Sequence, residues 1–260
     1  MKITWYGTAS LILQSGESSI AFDPYLKQLP KDYEPEELLE NRIKAFKGQK
    51  NIFITHGHFD HVSSIKDLYK DSECKVYLTK TPYRALTRDG VPKKILEQIS
   101  AGDEIIVGNM KIAALKGKHI QFEWLELAKG FVKPKPFKDV CRGLARTFDH
   151  LKHPERGETL FYEIKAENKL IQIMGSAELA DNVEYKTGAD LLIIPHQGRG
   201  NMDEHNARIV NLLKPKRVLL DHYDDAFPPY SRLVPVDDFC TETSKTIPTE
   251  KLIEGQTIEI

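Results

Sequence analysis

Short runs of apolar and β-branched residues, separated by turn residues, occur in two rounds along the chain. The first round predicts strands at residues 2–6, 11–14, 19–23, 51–55 and 75–79, helices near 35–39, 63–70 and 82–88, and a hairpin of 104–107 with 111–115. The second round predicts a hairpin of 159–165 with 169–174, strands at 190–194 and 217–220, and a helix at 203–213. This order predicts an α/β fold in which two sheets pack together with helices outside, in one domain that covers residues 1–260.

Residues 121–157 fit neither round. The segment has eight Lys/Arg against five Asp/Glu, five aromatic residues and the helix-breaking sequence Pro134-Lys135-Pro136. A long segment between two core strands is typical of a lid, a binding loop or a helical insertion. The alternative is a surface segment with its own small apolar cluster, and the sequence leaves both open.

Charge and composition exclude several classes of protein. Among the 260 residues, 37 Lys+Arg oppose 38 Asp+Glu, a formal net charge of -1, whereas proteins that bind nucleic-acid backbone usually have a basic surplus. Hydrophobic residues make up 40% and charged residues 29% of the chain, which is typical of a folded domain. No stretch approaches the roughly 20 apolar residues that cross a bilayer. We therefore expect neither a nucleic-acid partner nor a membrane span, while an oligomer stays open and the function has to come from local motifs.

The cysteines and the N-terminal residues bear on the compartment. Cys74, Cys141 and Cys240 are odd in number and far apart, and they form no CxxC pair. This spacing argues against a disulfide framework or a zinc ribbon and favours reduced thiols. Residues 1–6 alternate apolar with polar side chains and lack the apolar region of a signal peptide. We expect a cytoplasmic protein.

The most informative stretch is Thr55-His56-Gly57-His58-Phe59-Asp60-His61, directly after an apolar strand. Imidazole and carboxylate groups together suit a divalent ion such as zinc, cobalt or manganese. Gly57 allows a tight turn, so that neighbouring side chains converge. A solvated histidine-rich loop is the alternative, and the preceding strand and the later histidines argue against it.

This HxHxDH spacing after a strand resembles the signature of the metallo-β-lactamase superfamily of binuclear metallohydrolases. The resemblance implies an αβ/βα four-layer sandwich with a helical insertion and a metal site at one rim. It also implies that His56, His58 and a later histidine bind one ion, and that Asp60, His61 and a C-terminal histidine bind a second. An aspartate is expected to bridge the two ions.

Two later histidines match the remaining positions of that pattern. His119 follows the predicted strand 111–115, and His222 follows the strand 217–220. The resemblance therefore implies the metal ligands His56, His58, Asp60, His61, His119 and His222. It further implies a divalent cofactor, zinc first and manganese second.

The bridging aspartate is where this chain departs from the pattern. Its expected position, after the apolar strand 170–173, is occupied by Ser176 in Met174-Gly175-Ser176. Because serine is neutral and a weaker ligand, a second ion is expected to bind less tightly, so the site holds one ion or two. Glu178 is a candidate to reach back towards the ions.

Further motifs resemble one branch of the superfamily, that of the ascorbate-6-phosphate lactonase. They lie at residues 5–10, 22–25 and 222–228. The resemblance implies that Asp23 lies behind the metal site and orients a liganding imidazole; a turn-forming Asp-Pro pair is the alternative. His196, after another apolar strand, is a candidate for contact with substrate or with a metal ligand. A solvated side chain is the favoured interpretation of the lone Arg199, and an anchor for an anionic substrate group is the alternative. His150, His153 and His205 are expected on the surface.

Together these features predict a metal-dependent hydrolase that uses metal-activated water on a lactone, a phosphoester or an amide-type small molecule. Asp60 and His222 are the predicted catalytic residues: Asp60 orients the nucleophile or takes its proton, and His222 assists the leaving group. The alternatives are a phosphodiesterase or nuclease of the same fold, and a non-catalytic metal- or ligand-binding protein. A redox diiron role is disfavoured, because that branch typically has glutamate where His58 stands.

Overall fold

Two β-sheets face each other in the computed structural model, which describes residues 1–27, 36–71, 73–121, 148, 151–225 and 233–260. The first sheet has the strand order β15-β1-β2-β3-β4-β5-β6. Its strands are β1 (Lys2–Trp5), β2 (Leu11–Ser15), β3 (Ser18–Phe22), β4 (Asn51–Phe53), β5 (Lys75–Leu78), β6 (Leu96–Gln98) and β15 (Thr257–Glu259). Pairing is antiparallel from β15 to β3 and parallel from β3 to β6.

The second sheet has the order β11-β8-β9-β10-β12-β13-β14, with β7 paired to β8. Its strands are β7 (Glu104–Val107), β8 (Met110–Lys118), β9 (Leu160–Ala166), β10 (Lys169–Met174), β11 (Glu178–Leu179), β12 (Leu191–Pro195), β13 (Val218–Asp221) and β14 (Thr249–Lys251). Pairing is parallel from β10 through β12 and β13 to β14. Each sheet is therefore mixed.

Alternation along the strands of the first sheet separates two apolar layers. Leu11 and Leu13 belong to the cluster shared with the second sheet, whereas Ile12 between them belongs to a cluster with the helices. Because side chains alternate faces along a strand, β2 supplies both layers from three consecutive residues. The main helices of the described residues are α1 (Glu36–Lys47), α2 (Phe59–Val62), α3 (Ile65–Leu68), α4 (Lys80–Arg88), α5 (Met202–Leu213) and α6 (Asp237–Thr243).

The helices lie on the two outer faces. Phe46 of α1 and Ile65 of α3 pack with Ile52 and Val76 of the first sheet. On the other side, Ile209 of α5 belongs to the cluster that contains the second sheet. The predicted four-layer sandwich, with helices outside two sheets, is confirmed.

The two sheets meet at one rim through hydrogen bonds between backbone segments that follow the strands. Leu160 N–H donates to the Thr55 carbonyl at 2.7 Å, and the Tyr162 hydroxyl donates to the Ile54 carbonyl at 2.8 Å. The segment after β4 is thus held directly against β9. This rim is where the histidine motif lies.

Several elements differ from their predicted bounds. The region 63–70 holds the short helix α3 followed by a 3-10 turn at Tyr69–Asp71, and a further helix, α2, forms inside the histidine motif. Strands β6, β11, β14 and β15 and helix α6 were missed, because short segments at the edges of a fold carry little periodicity. The lid, binding loop or insertion predicted at 121–157 stays a prediction, since 122–147 and 149–150 lie outside the described residues.

Two further findings concern the sequence expectations. Among the described residues, no helix is long and apolar enough to span a membrane. Cys74 and Cys240 are free thiols, Cys74 being buried; Cys141 lies outside the described residues. The expectation of reduced cysteines therefore holds for these two.

Candidate metal centre

Six side chains at the rim converge in two groups of three. In each group the ligand atoms lie within 4.8 Å of one another. The first trio is His56, His58 and His119, and the second trio is Asp60, His61 and His222. The structure thus brings together every side chain for which the sequence predicts metal ligation, from three separate parts of the chain.

The backbone after β4 places four of these side chains. The chain runs extended to His58, which has φ -65° and ψ 153°, and then turns into α2. The N–H groups of His61 and Val62 donate to the His58 carbonyl at 3.0 and 3.2 Å. Because extended and helical backbone meet at His58, the residues on either side of it point into different trios.

Gly57 is required by close packing. A Cβ added there would lie 2.9 Å from the Pro154 carbonyl oxygen, and the φ of Gly57 is not positive. The side chains on either side of Gly57 do converge, with His56 Nε2 3.1 Å from His58 Nδ1, but a left-handed backbone is not the reason for glycine here. What excludes a side chain is the segment after residue 151, which crosses directly over the histidine motif.

The first trio has two ring nitrogens in near contact. His56 Nε2 and His58 Nδ1 are 3.1 Å apart, close to the roughly 3.3 Å that separates two nitrogens bound to one tetrahedral zinc ion. His119 Nδ1 donates to the Ile120 carbonyl at 2.8 Å, which leaves its Nε2 for the site. The trio therefore offers three nitrogen ligands to one ion.

The second trio is centred on one carboxylate oxygen. Asp60 Oδ2 lies 3.3 Å from His61 Nε2 and 3.1 Å from His222 Nε2. A carboxylate oxygen and two imidazole nitrogens are a donor set that zinc accepts. Three protein ligands, with a position left over, are typical of catalytic rather than structural zinc sites.

Asp23 lies behind His61 and fixes its ring. Asp23 Oδ2 is 2.9 Å from His61 Nδ1, so the other ring nitrogen faces Asp60. Asp23 is 1% exposed and has a left-handed φ of 43°. Its position is the one implied by the family resemblance, and the geometry goes beyond a turn-forming Asp-Pro pair.

His222 is held by the turn between β1 and β2. Its backbone N–H donates to the Thr8 carbonyl at 3.0 Å, and Thr8 N–H in turn donates to the carboxylate of Asp224. Both His222 and Thr8 have left-handed φ values, 54° and 50°. Such values are uncommon outside glycine, so surrounding contacts impose this conformation.

Burial and neighbouring charges shift the pKa values of these groups in opposite directions. Burial, with the histidines His61 and His58 beside it, holds the pKa of His56 well below its usual value. Burial alone would raise the pKa of Asp60, but His61 and the hydrogen bond with His222 hold it well below its usual range.

The pKa of His61 moves the other way. Burial lowers it, but the charges of Asp60 and Asp23 outweigh burial and raise the pKa of His61 to about 10. The position between these two carboxylates thus strongly favours a positive charge. A deprotonated His56, an ionised Asp60 and this preference for a cation together fit a divalent ion.

Ser176 occupies the place expected for a bridging aspartate. Its hydroxyl accepts a hydrogen bond from Ile120 N–H at 3.0 Å, and the residue is 7% exposed. Ser176 therefore fixes the backbone next to His119. The carboxylate of Glu178 contacts Arg208 and His205 on α5, at 2.9 and 3.6 Å, which directs it to that helix.

Asp221 immediately precedes His222 and is fully buried. Neither of its carboxylate oxygens has a hydrogen-bond partner among the described residues. Burial raises the pKa of Asp221 to about 8, although His222 and His61 oppose the shift. Sequence reasoning missed this residue, and the available signal was an acidic residue at the end of an otherwise apolar strand.

The predicted substrate contact His196 is tied to α5. Asn206 Nδ2 lies 3.0 Å from His196 Nδ1, and the Asp203 carboxylate lies 2.9 Å from its Nε2. The ring is fully buried and packs against Phe239. Both ring nitrogens are therefore engaged, and a role for His196 in substrate contact stays a prediction.

Two of the three histidines expected on the surface are buried. His205 is bonded to the Ala177 carbonyl, and His153 Nε2 lies 3.2 Å from the Asp89 carboxylate. The expectation is wrong for these two, because a polar sequence context does not reveal packing against the neighbouring loop. His150 lies outside the described residues.

The chain matches a known family over most of its length. Residues 2–222 match the family model described as "Beta-lactamase superfamily domain". A "UPF0173 metal-dependent hydrolase" of Sulfurisphaera tokodaii (strain DSM 16993 / JCM 10545 / NBRC 100140 / 7) is 26% identical over 269 residues, which covers 100% of this chain and 99% of that protein.

Solved structures share the fold. Igni18, a metallo hydrolase from Ignicoccus hospitalis KIN4/I, superposes with a TM-score of 0.63 at 17% identity, covering 99% of this chain and 97% of that one. Zn(2+)-bound PqqB from Methylobacterium extorquens has a TM-score of 0.64 at 14% identity and covers 100% of both chains. At these identities the likeness concerns the fold alone.

Proposed function

Because the chain belongs to the β-lactamase superfamily, we propose that it is a metal-dependent hydrolase of small molecules. The observation that carries this proposal is the pair of adjoining trios, each with three ligand atoms within 4.8 Å of one another. The name of the Sulfurisphaera tokodaii relative supports the same reaction class.

Zinc is the proposed ion, with manganese as the alternative. Five imidazoles and one carboxylate favour zinc over the harder cations that prefer all-oxygen sites. When bound, a divalent ion lowers the pKa of a bound water to about 7 and polarises a substrate oxygen. Lactones, phosphoesters and amides all present such an oxygen beside an electrophilic centre, and these are the proposed substrate classes.

Asp60 is the proposed group that orients the nucleophile or takes its proton. Its Oδ2 lies between His61 and His222, and its low pKa keeps it ionised, which favours orienting the nucleophile over taking its proton. His222 presents Nε2 to the same oxygen. Because this nitrogen binds either a metal ion or a proton, His222 assists the leaving group only while it is not a metal ligand.

The remainder of the proposal concerns the segment that covers the metal site and the cellular compartment of the protein. We assign residues 121–157 as a cover over the site within one domain of residues 1–260; the close contact of Pro154 with Gly57 supports this placement. A reducing compartment such as the cytoplasm suits the free thiols of Cys74 and Cys240.

A second candidate function follows from Ser176. Without the bridging carboxylate, the chain is also suited to binding a metal or ligand without turnover. The hydrolase function and the binding function are distinguished by two measurements on zinc- or manganese-loaded protein. One is hydrolysis of lactone, phosphodiester and amide substrates, and the other is the metal content.

The experiment compares His58→Ala and His119→Ala with the wild type. Hydrolysis of at least one substrate class, lost by 100-fold or more in both variants, is expected if the first trio holds the ion that drives the reaction. His205→Gln is the matched control, because His205 is buried but pairs with Ala177 and Glu178. Near wild-type rates in either alanine variant contradict the proposal. Metal content without any turnover supports the binding function.

A further inference from the structure

We propose that Asp221 supplies buried negative charge that lets the Asp60–His61–His222 trio hold its own divalent ion, although Ser176 stands where the family has a bridging aspartate. The wild-type chain then binds two ions. This inference rests on the proposed metal-binding function and names a residue that compensates for the departure at Ser176.

The first observation is the position of Asp221. The residue ends β13, and the next residue along the chain, His222, belongs to the second trio. Its backbone carbonyl accepts a hydrogen bond from His196 N–H at 2.9 Å, which fixes the strand end. The positive charges of His222 and His61 oppose the rise in the pKa of the Asp221 carboxyl. The buried carboxylate thus adjoins the second trio along the chain, and the charges of His222 and His61 reach it.

The second observation is that this carboxylate has no hydrogen-bond partner among the described residues, while its neighbours do. Asp23 accepts hydrogen bonds from Thr55, and Asp224 accepts one from Thr8. Asp221 is 0% exposed, and both of its oxygens are unpartnered. A buried carboxylate without a partner destabilises the fold unless a cation lies close by.

The charges of the site call for such a cation. Asp23, Asp60 and Asp221 are all buried, and among the described residues His61 and His222 are the positive groups that act on both Asp60 and Asp221. With the second trio empty, the imidazoles of His61 and His222 do not offset the burial of Asp221, and the pKa of its carboxyl stays raised. A divalent ion between Asp60, His61 and His222 is the cation that this unpartnered carboxylate lacks. The carboxylate in turn supplies negative charge that a bridging aspartate supplies by direct ligation.

Asp221 acts through space in this proposal. Its oxygens belong to neither group of mutually close ligand atoms, so it is a positioning residue for charge and not a ligand. At an effective dielectric of about 20, the attraction between a carboxylate and a nearby divalent ion is strong. Loss of the carboxylate should therefore weaken binding of that ion about tenfold or more.

The test is a zinc titration of chelator-stripped protein, with bound metal counted by elemental mass spectrometry. We expect two ions per chain in the wild type. In Asp221→Asn we expect the first to bind unchanged and the second at least tenfold more weakly. We also expect metal-free Asp221→Asn to melt at a higher temperature than metal-free wild type, because it loses an unpartnered buried carboxylate. A purely structural role predicts a lower melting temperature.

Further variants complete the experiment. Asp203→Asn is the matched control, because Asp203 also contacts a buried histidine but is largely exposed, and its zinc binding should equal that of the wild type. Ser176→Asp combined with Asp221→Asn should regain the second ion. If Asp221→Asn fails to fold, Asp221→Leu, which removes the charge with an apolar side chain like those of the rest of β13, takes its place in the zinc titration.

The outcomes are separable from those of the proposed function. No zinc bound to the wild type contradicts the proposed function and the inference together. Two ions bound with equal affinity in wild type and Asp221→Asn overturn the inference alone. A single ion in the wild type, or a lower melting temperature of metal-free Asp221→Asn, overturns it as well.

Discussion

Thr55 donates hydrogen bonds to both carboxylate oxygens of Asp23. Its backbone N–H lies 2.8 Å from Oδ1, and its hydroxyl lies 2.6 Å from Oδ2. The same Oδ2 is 2.9 Å from His61 Nδ1. One buried carboxylate thus joins the end of β3 to the segment after β4 and sets the orientation of a proposed metal ligand.

Replacing Asp23 by asparagine should weaken the second ion. The amide removes a negative charge from behind His61 and presents an N–H₂ group towards either the Thr55 hydroxyl or the imidazole. Substitutions of such supporting groups typically cost 10–100-fold in metal affinity. The same zinc titration measures this, and the first ion should bind as in the wild type. Unchanged affinity for both ions would show that Asp23 serves only the fold.

Ser176→Ala should disturb the first trio. The substitution leaves Ile120 N–H buried without its acceptor, at a cost of about 1–3 kcal/mol in the free energy of unfolding. Because Ile120 follows His119, affinity for the first ion should fall as well. Urea unfolding of chelator-treated protein and zinc titration measure the two effects. Ser176→Asp, which keeps an acceptor, is the control; equal stability of Ser176→Ala and wild type would count against a positioning role.

Gly175→Ala should destabilise the fold where the sheets meet. A Cβ at this position would lie 2.5 Å from both Thr55 Cβ and the Leu160 carbonyl oxygen, and such overpacking typically costs 1–3 kcal/mol or more. Gly48→Ala is the matched control, because a Cβ there has nothing within 4 Å. Thermal unfolding measures both. A wild-type melting temperature for Gly175→Ala would mean that the backbone at Thr55 and Leu160 shifts to admit the methyl group without loss of stability.

Deleting residues 122–147 tests the proposed cover while keeping the described contacts of residues 151–157. Pro154 packs over Gly57, and Arg88 donates to the Lys152 carbonyl, so these anchors must stay. Metal content should match the wild type, whereas KM for the best substrate should rise at least several-fold. Loss of folded protein, seen by circular dichroism, would instead assign the segment to the core.

The fold was largely predictable because its signals are local. The short apolar runs of β2 and β12, bounded by turn residues, identify strands without knowledge of their partners. Strands β14 and β15 are three residues long and close the sheets through partners far away in sequence. Such edges owe their existence to pairing, which no local pattern encodes.

The candidate site was predictable for the residues that the family motif contains. The six residues of the two trios were named from motif spacing, and the structure brings them together. The roles of Thr55 and Asp221 were not predicted, because they depend on which buried groups face one another across the rim. The burial of His153 and His205 was missed for the same reason.

The most direct test of the central claim is to locate the ions in a crystal of zinc-loaded protein by anomalous diffraction at the zinc edge. Two peaks are expected, one bounded by His56, His58 and His119 and the other by Asp60, His61 and His222. A peak at the first trio alone would retain the proposed hydrolase but contradict two-ion binding. Zinc bound elsewhere, or absent from both trios, would contradict the assignment of this rim as a metal centre.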